Sequence, residues 1–128
     1  DLASLQFHFE TLRNPRPRIH HTPDGHIYVS DGLLKEVADD DELAGLLALE
    51  MSELIHEVRR ESPAYRKQAA APDAPLTPAE VDALARQMLE HAGFPPANLT
   101  ALRERVRKLE LAGKPRENYR PLGPAMAN

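Results

Sequence analysis

The sequence predicts an α+β domain, mostly helical, with a small β-sheet that contains a hairpin, and three observations predict it. Leu43, Leu47, Met51, Leu54 and Val58 recur at steps of three and four residues, the spacing that keeps side chains on one helix face. Asp24-Gly25, the strongest short turn signal in the chain, divides 18–22 from 26–30, both β-compatible. Thr77-Pro78 with Glu80 places Thr at an N-cap, Pro at the first helical position and Glu at the third, which is helix-start chemistry.

Composition sets the outer bounds. A chain of 128 residues with 41% apolar content suffices for one core, so we read a single domain over 1–112 and an extended or disordered tail over 113–128. With 5% aromatic residues and no Trp, that core must be built from Leu, Ala and Val. The absence of cysteine excludes disulfides and thiolate metal sites and leaves the compartment open. A net charge of −4, with no basic face interleaved with aromatics, argues against a nucleic-acid partner. No apolar run approaches the ~20 residues of a membrane span. No signal peptide is visible, and the chain opens abruptly at Asp1, as a trimmed segment would.

In order, 1–14 reads as a helix with Leu2, Leu5, Phe9 and Leu12 on one face and His8 off it, ended by Pro15 and Pro17. Arg13, Arg16 and Arg18 then make a wet linker, with contact to an acidic partner as the alternative. In the hairpin, adjacent His20 and His21 point to opposite faces. A metal site there needs one of them to meet His26 and a third group, so we read none. Ser30-Asp31 caps a short helix through Leu33, Leu34 and Val37. The long helix spans 39–60, its acidic first turn matching the helix dipole.

Glu50 lies within the apolar stripe of that helix, where an ionised carboxylate is costly unless paired, hydrogen-bonded or beside a cleft. The alternative is a partly exposed Glu at the stripe's edge. Residues 61–76 are Pro/Ala-rich and read as a flexible connector. In the helix that follows, Val81, Leu84, Ala85 and Met88 form the buried face, His91 faces solvent in the last turn and Gly93 stops it. A final helix over 98–111 turns Leu102, Val106 and Leu109 inward and leaves Arg103, Arg105, Arg107 and Lys108 solvated. In the tail, Tyr119 and Leu122 are the candidate anchors.

The stretch RIHHTPDGHIYVSDGLLKEVADDDELAGLLALE resembles the segment leading into the active helix of the HtpX and CAAX-prenyl-protease type of zinc metallopeptidase (metallopeptidase family forty-eight, gluzincins). That family has a strand, a Pro-Gly-Gly-like turn, a second strand, a Gly-Leu-Leu helix start and then E-L-A-x-[VL]-L-A-H-E-x-x-H. Pro23, Gly25, Ile27, Tyr28, Val29, Gly32, Leu33, Leu34, Glu42, Leu43, Ala44, Leu47, Ala48 and Glu50 fall in register without a gap. A second block, PAEVDALARQMLEHAGFPPANL, keeps Asp82, Ala92, Gly93, Phe94 and Pro96 at the spacing of the family's later glutamate helix. The matches cover about half the chain, roughly 18–60 and 77–100. The resemblance implies a minimal zincin-like fold, a zinc cofactor and an extracytoplasmic or membrane-associated setting.

The chemistry departs from the family. Its two HExxH histidines hold zinc and the Glu between them is the general base. Here those five positions are Leu49, Glu50, Met51, Ser52 and Glu53, and the third ligand position falls on Pro78, which has no donor atom. Only Glu50 and Asp82 remain, as vestiges. Glu50, Glu53 and His56 on adjacent turns offer a carboxylate/His cluster suited to calcium or magnesium rather than zinc. Glu80 points away, and His56-Glu57 lacks the second histidine of a zinc motif.

The expectation is therefore a metallopeptidase-like domain without zinc or other cofactor and without catalytic residues, a binding or regulatory module for a peptide or protein. Its cleft is expected to be floored by Leu49, Glu50 and Glu53 and edged by the hairpin at Ile27 and Val29, holding an extended peptide by strand addition. Two alternatives stand beside this: a residual metal-dependent hydrolase using Glu50, and a purely structural interaction domain. Oligomeric state is not legible.

Overall fold

The computed structural model describes residues 5–95 and 98–112. Leu2, Pro96 and the tail over 113–128 lie outside the described residues. Three strands, β1 (His8–Leu12), β2 (Ile19–His21) and β3 (His26–Ser30), precede five helices: α1 (Asp31–Leu34), α2 (Asp40–Arg60), α3 (Pro63–Gln68), α4 (Pro78–Ala92) and α5 (Leu99–Ala112). The class is α+β, with a small mixed sheet in the order β1-β3-β2. β2 and β3 form the antiparallel hairpin, and Gly25, at φ 105°, supplies the left-handed turn residue. Among the described residues, no helix is long and apolar enough to cross a membrane.

The first element corrects the sequence reading. Residues 8–12 are not helical: they run parallel to β3, with His8 opposite His26 and Leu12 opposite Ser30. Leu5, Phe9 and Leu12 do satisfy a helical spacing. Leu5, Phe7 and Phe9 also alternate with the period of a strand, however, and ladder bonds to β3 decide between the two. Phe7 packs against the core, whereas Phe9 stays half exposed.

The arginine-rich linker is also more ordered than its composition implies. Its side chains face solvent, but its backbone is tied to the start of α1. The Ser30 hydroxyl donates to the Arg16 carbonyl (2.7 Å) and accepts from the Arg18 and Leu33 amides (2.9 and 3.1 Å). The Asn14 amide donates to the Asp31 carboxylate (3.1 Å), and the Gly32 amide donates to the Asn14 carbonyl (3.0 Å). Gly32 is required there because a Cβ would run into the Pro15 carbonyl.

Two apolar clusters meet across α2. On one side Leu46 packs with Ile27, Val29 and Leu33 and with Leu102 and Val106 of α5. On the other, Ala48 and Leu49 pack with Val81, Ala85 and Leu89 of α4 and with Leu99 of α5. A helix covered on two sides has a wider and differently centred apolar face than one stripe implies. Leu54 is fully buried, but Leu43, Leu47, Met51 and Val58 are only half-buried, and Leu46, Ala48, Leu49 and Ser52 replace them. The same rotation occurs in α4, where Leu89 and Asp82 are buried and Leu84 and Met88 are half-buried.

The connector is not structureless. Ser62 caps α3, the Arg60 guanidinium donates to the Pro72 carbonyl (3.0 Å) and Arg66 pairs with Asp73 (2.8 Å). The Thr77/Glu80 capping box starts α4, and Gly93, at φ 85°, ends it.

Gly32→Ala forces a methyl group against backbone rather than against a movable side chain. It is expected to destabilise the fold by about 2–3 kcal/mol, seen as a fall of roughly 10 °C or more in a thermal melt. An unchanged midpoint would show that α1 is not anchored by the linker.

Candidate functional site

Strand alternation decides which histidine reaches the helix layer. Ile19 and His21 share one face of β2 and turn towards α2 and α5, while His20 turns away and stacks on Tyr28, ring centroids 5.0 Å apart. His26 is also on the outer face, stacked with His8 (4.9 Å) and beside Asp24 (3.1 Å). The hairpin histidines therefore do not converge, as the sequence reading held.

His21 meets carboxylates instead. Its Nδ1–H donates to Glu50 (2.7 Å) and its Nε2–H to Glu57 (2.6 Å), two groups two turns apart on α2. The ring is pushed up to about 9, first by the hydrogen bond to Glu50 and then by Glu57, against the opposing effect of burial. At neutral pH it is an imidazolium, so the Glu50 carboxylate that looked costly in an apolar stripe is paired.

Glu53, one turn on from Glu50, has no hydrogen bond or ion pair among the described residues, and burial, with Glu50 nearby, pushes its carboxyl above the usual range. Glu50 and Glu53 border a cleft of about 210 Å³ with a floor of Ile19, Leu46, Leu49 and Val106 and a rim of Arg103, Arg107 and Glu110. The Glu110 carboxylate accepts from the outward amide of Ile19 (3.2 Å), covering one donor on the free edge of β2.

The residues singled out by sequence occupy distinct settings. Leu49 is almost wholly buried between α2 and α4, and Pro78 is exposed at the first turn of α4. Asp82 is buried and ion-paired with Arg103. Ser52 donates to the Val81 carbonyl (2.8 Å), and His56 donates to the Glu80 carbonyl (3.2 Å), so His56 is fastened to α4 rather than joining the two glutamates. Ile27 and Val29 do not edge the cleft. β3 is the central strand and both side chains lie in the core, leaving Ile19 of β2 as the strand residue that reaches the cleft.

The zinc site implied by the resemblance does not fit these residues. Of the three ligand positions only Glu53 carries a donor, Leu49 fills apolar space and Pro78 offers no lone pair. What sequence reasoning missed is the role of His21, Glu57, Arg103, Arg107 and Glu110. The signal for His21 was present: it lies two residues from Ile19, so whichever face buried Ile19 also carried His21 inward.

In comparisons with known proteins, no protein family matches the chain, and no curated protein matches it.

Because His21 is protonated more tightly in the fold than its ordinary 6.5, its stabilising effect is complete below pH 6.5 and is lost as pH rises through about 9. With solvent screening at the exposed Glu57 allowed for, the loss should be about 2 kcal/mol. Urea unfolding of the wild type between pH 6 and 9.5 is expected to show this decline, and His21→Asn should flatten it. Parallel pH profiles for the two proteins would disprove the clamp.

Proposed function

We propose that the chain is a zincin-like domain related to the HtpX and CAAX-prenyl-protease type of metallopeptidase, without peptidase activity, that binds an extended segment of a peptide or protein along β2. The observation that carries this is the fate of the three former ligand positions. Leu49 is committed to α2–α4 packing, Pro78 to a helix start, and Glu53 alone keeps a donor, beside a Glu50 held by His21 rather than free to activate water.

The cleft itself persists and has features of a strand-accepting groove. β2 is an edge strand, so the backbone groups of Ile19 and His21 that face away from β3 meet no neighbouring strand. The Ile19 amide is satisfied by a side-chain carboxylate, an acceptor that the carbonyl of an added strand can replace. Below that edge, Leu46 and Val106 provide apolar contact, and Glu50, Glu53 and Glu110 outnumber Arg103 and Arg107. Since Arg103 is held by Asp82, the groove favours a segment bearing a basic side chain.

Three measurements test this reading. Purified chain, with and without added zinc, should leave casein and quenched-fluorescence peptides uncut above the buffer blank; turnover that follows protein concentration would overturn the loss of activity. In a peptide array, Glu110→Ala should tighten binding of extended peptides without a basic side chain about three- to tenfold by freeing the Ile19 amide, while reducing the preference for basic ones; affinity indifferent to this change would move the binding surface elsewhere. The triple variant Leu49→His, Glu53→His, Pro78→Glu should acquire zinc if the zincin-like skeleton is retained, and failure of the folded variant to take up zinc would argue against it.

A further inference from the structure

A ring nitrogen of His21 and carboxylate oxygens of Glu50 and Glu53 all lie within 4.8 Å of one another, at the edge of the cleft and half-buried. The three come from two elements, a strand and the helix packed against it. We propose that His21, Glu50 and Glu53 form a binding site for one first-row divalent cation of the zinc or manganese class, with Glu57 as a positioning residue.

The donor set fits such an ion. Two carboxylates alone would suit calcium or magnesium, but an imidazole nitrogen shifts the preference towards zinc or manganese. Nδ1 of His21 is the nitrogen beside Glu50 (2.7 Å), because Nε2 is held by Glu57 (2.6 Å); the incoming ion takes the place of the Nδ1 proton, which is released to solvent, while Nε2–H stays on Glu57. A carboxylate on the far nitrogen of a ligating histidine fixes the ring's orientation and raises its basicity. Glu57 is placed to do both.

Glu53 provides an independent argument. Its half-buried carboxylate has no hydrogen bond or ion pair among the described residues, and the guanidinium nearest it in the cleft, Arg103, is taken by Asp82. A buried charge is costly unless compensated, and a cation shared with Glu50 and His21 would compensate it. Ligand atoms about 2.0–2.1 Å from a common ion lie farther apart than a hydrogen-bonded pair, so the side chains must spread by about half an ångström. Rotation of the two glutamates about their own χ angles supplies that.

Three protein ligands leave coordination positions open towards the cleft. Glu50 would be a ligand and so is not available as a base. The site rests on side-chain geometry and stands independently of the peptide-binding reading, since metal alone is the probe.

Chelator-stripped chain, titrated calorimetrically with zinc, manganese, calcium and magnesium chlorides, should bind one equivalent of zinc or manganese at least tenfold more tightly than calcium or magnesium. Glu53→Gln changes a side chain that has no hydrogen bond or ion pair among the described residues. It should weaken binding tenfold or more and leave the circular-dichroism melt unchanged, so loss of metal will not be confused with loss of fold. His21→Asn should weaken binding to a similar extent and also lower the melt, because it removes the bonds to Glu50 and Glu57; Glu57→Gln should weaken binding about tenfold, and the double variant His8→Asn, His26→Asn should bind as wild type. No binding at millimolar zinc or manganese, equal affinity for calcium, or binding untouched by Glu53→Gln would each overturn the proposal.

Discussion

The structure depends on α2 being buried from two directions at once. Leu46 faces the sheet, and Leu49, three residues on, faces α4, so the helix has apolar demands along more than half of its circumference. Only a narrow strip remains between the two packed faces, and Glu50, Glu53 and Glu57 lie along it at helical spacing. Three carboxylates on one strip repel one another. Each must be solvated, neutralised or protonated, and the fold uses a different answer for each: Glu57 is largely exposed, Glu50 is paired with His21, and Glu53 is pushed towards its neutral form.

His21 is where sheet and helix constraints meet. β2 is only three residues long and has one unpaired edge, so its position against α2 is held by Ile19 in the core and by the His21 ring between two carboxylates. The two bonds are short and charge-assisted, the strong class of hydrogen bond. Their strength depends on both ring nitrogens carrying protons. The same geometry therefore joins hairpin to helix and makes that join sensitive to proton concentration, with no separate device.

Much of the fold was legible because local signals agreed with tertiary need. Asp24-Gly25, the Ser30 cap, the acidic first turn of α2 and the Thr77/Glu80 box each act within four residues, and each element they predict is present. The failures are nonlocal. β1 is a strand only because β3 lies beside it, and a single stripe cannot describe helices buried on two faces. Residues 63–68 are helical within a Pro/Ala-rich stretch because Ser62 and Pro63 start a turn that Arg66 then ties to Asp73. At the candidate site, the lack of a side-chain donor at positions 49 and 78 could be read directly, since residue identity alone decides whether a side-chain lone pair exists. The His21–Glu50 pair could not, because it joins residues 29 positions apart through the docking of β2 on α2.

Leucine at position 49, where the resembled family has a ligand histidine, also has a structural consequence. An imidazole there would hold a polar group in the α2–α4 seam and need a partner, whereas Leu49 adds apolar contact with Val81 and Ala85. The seam is tightened further by Ser52, fully buried, whose hydroxyl reaches the Val81 carbonyl. The seam is thus packed as ordinary core, while the carboxylates on the neighbouring strip still need positive charge. His21 meets part of that need from outside α2, so a polar rim stands over an apolar floor.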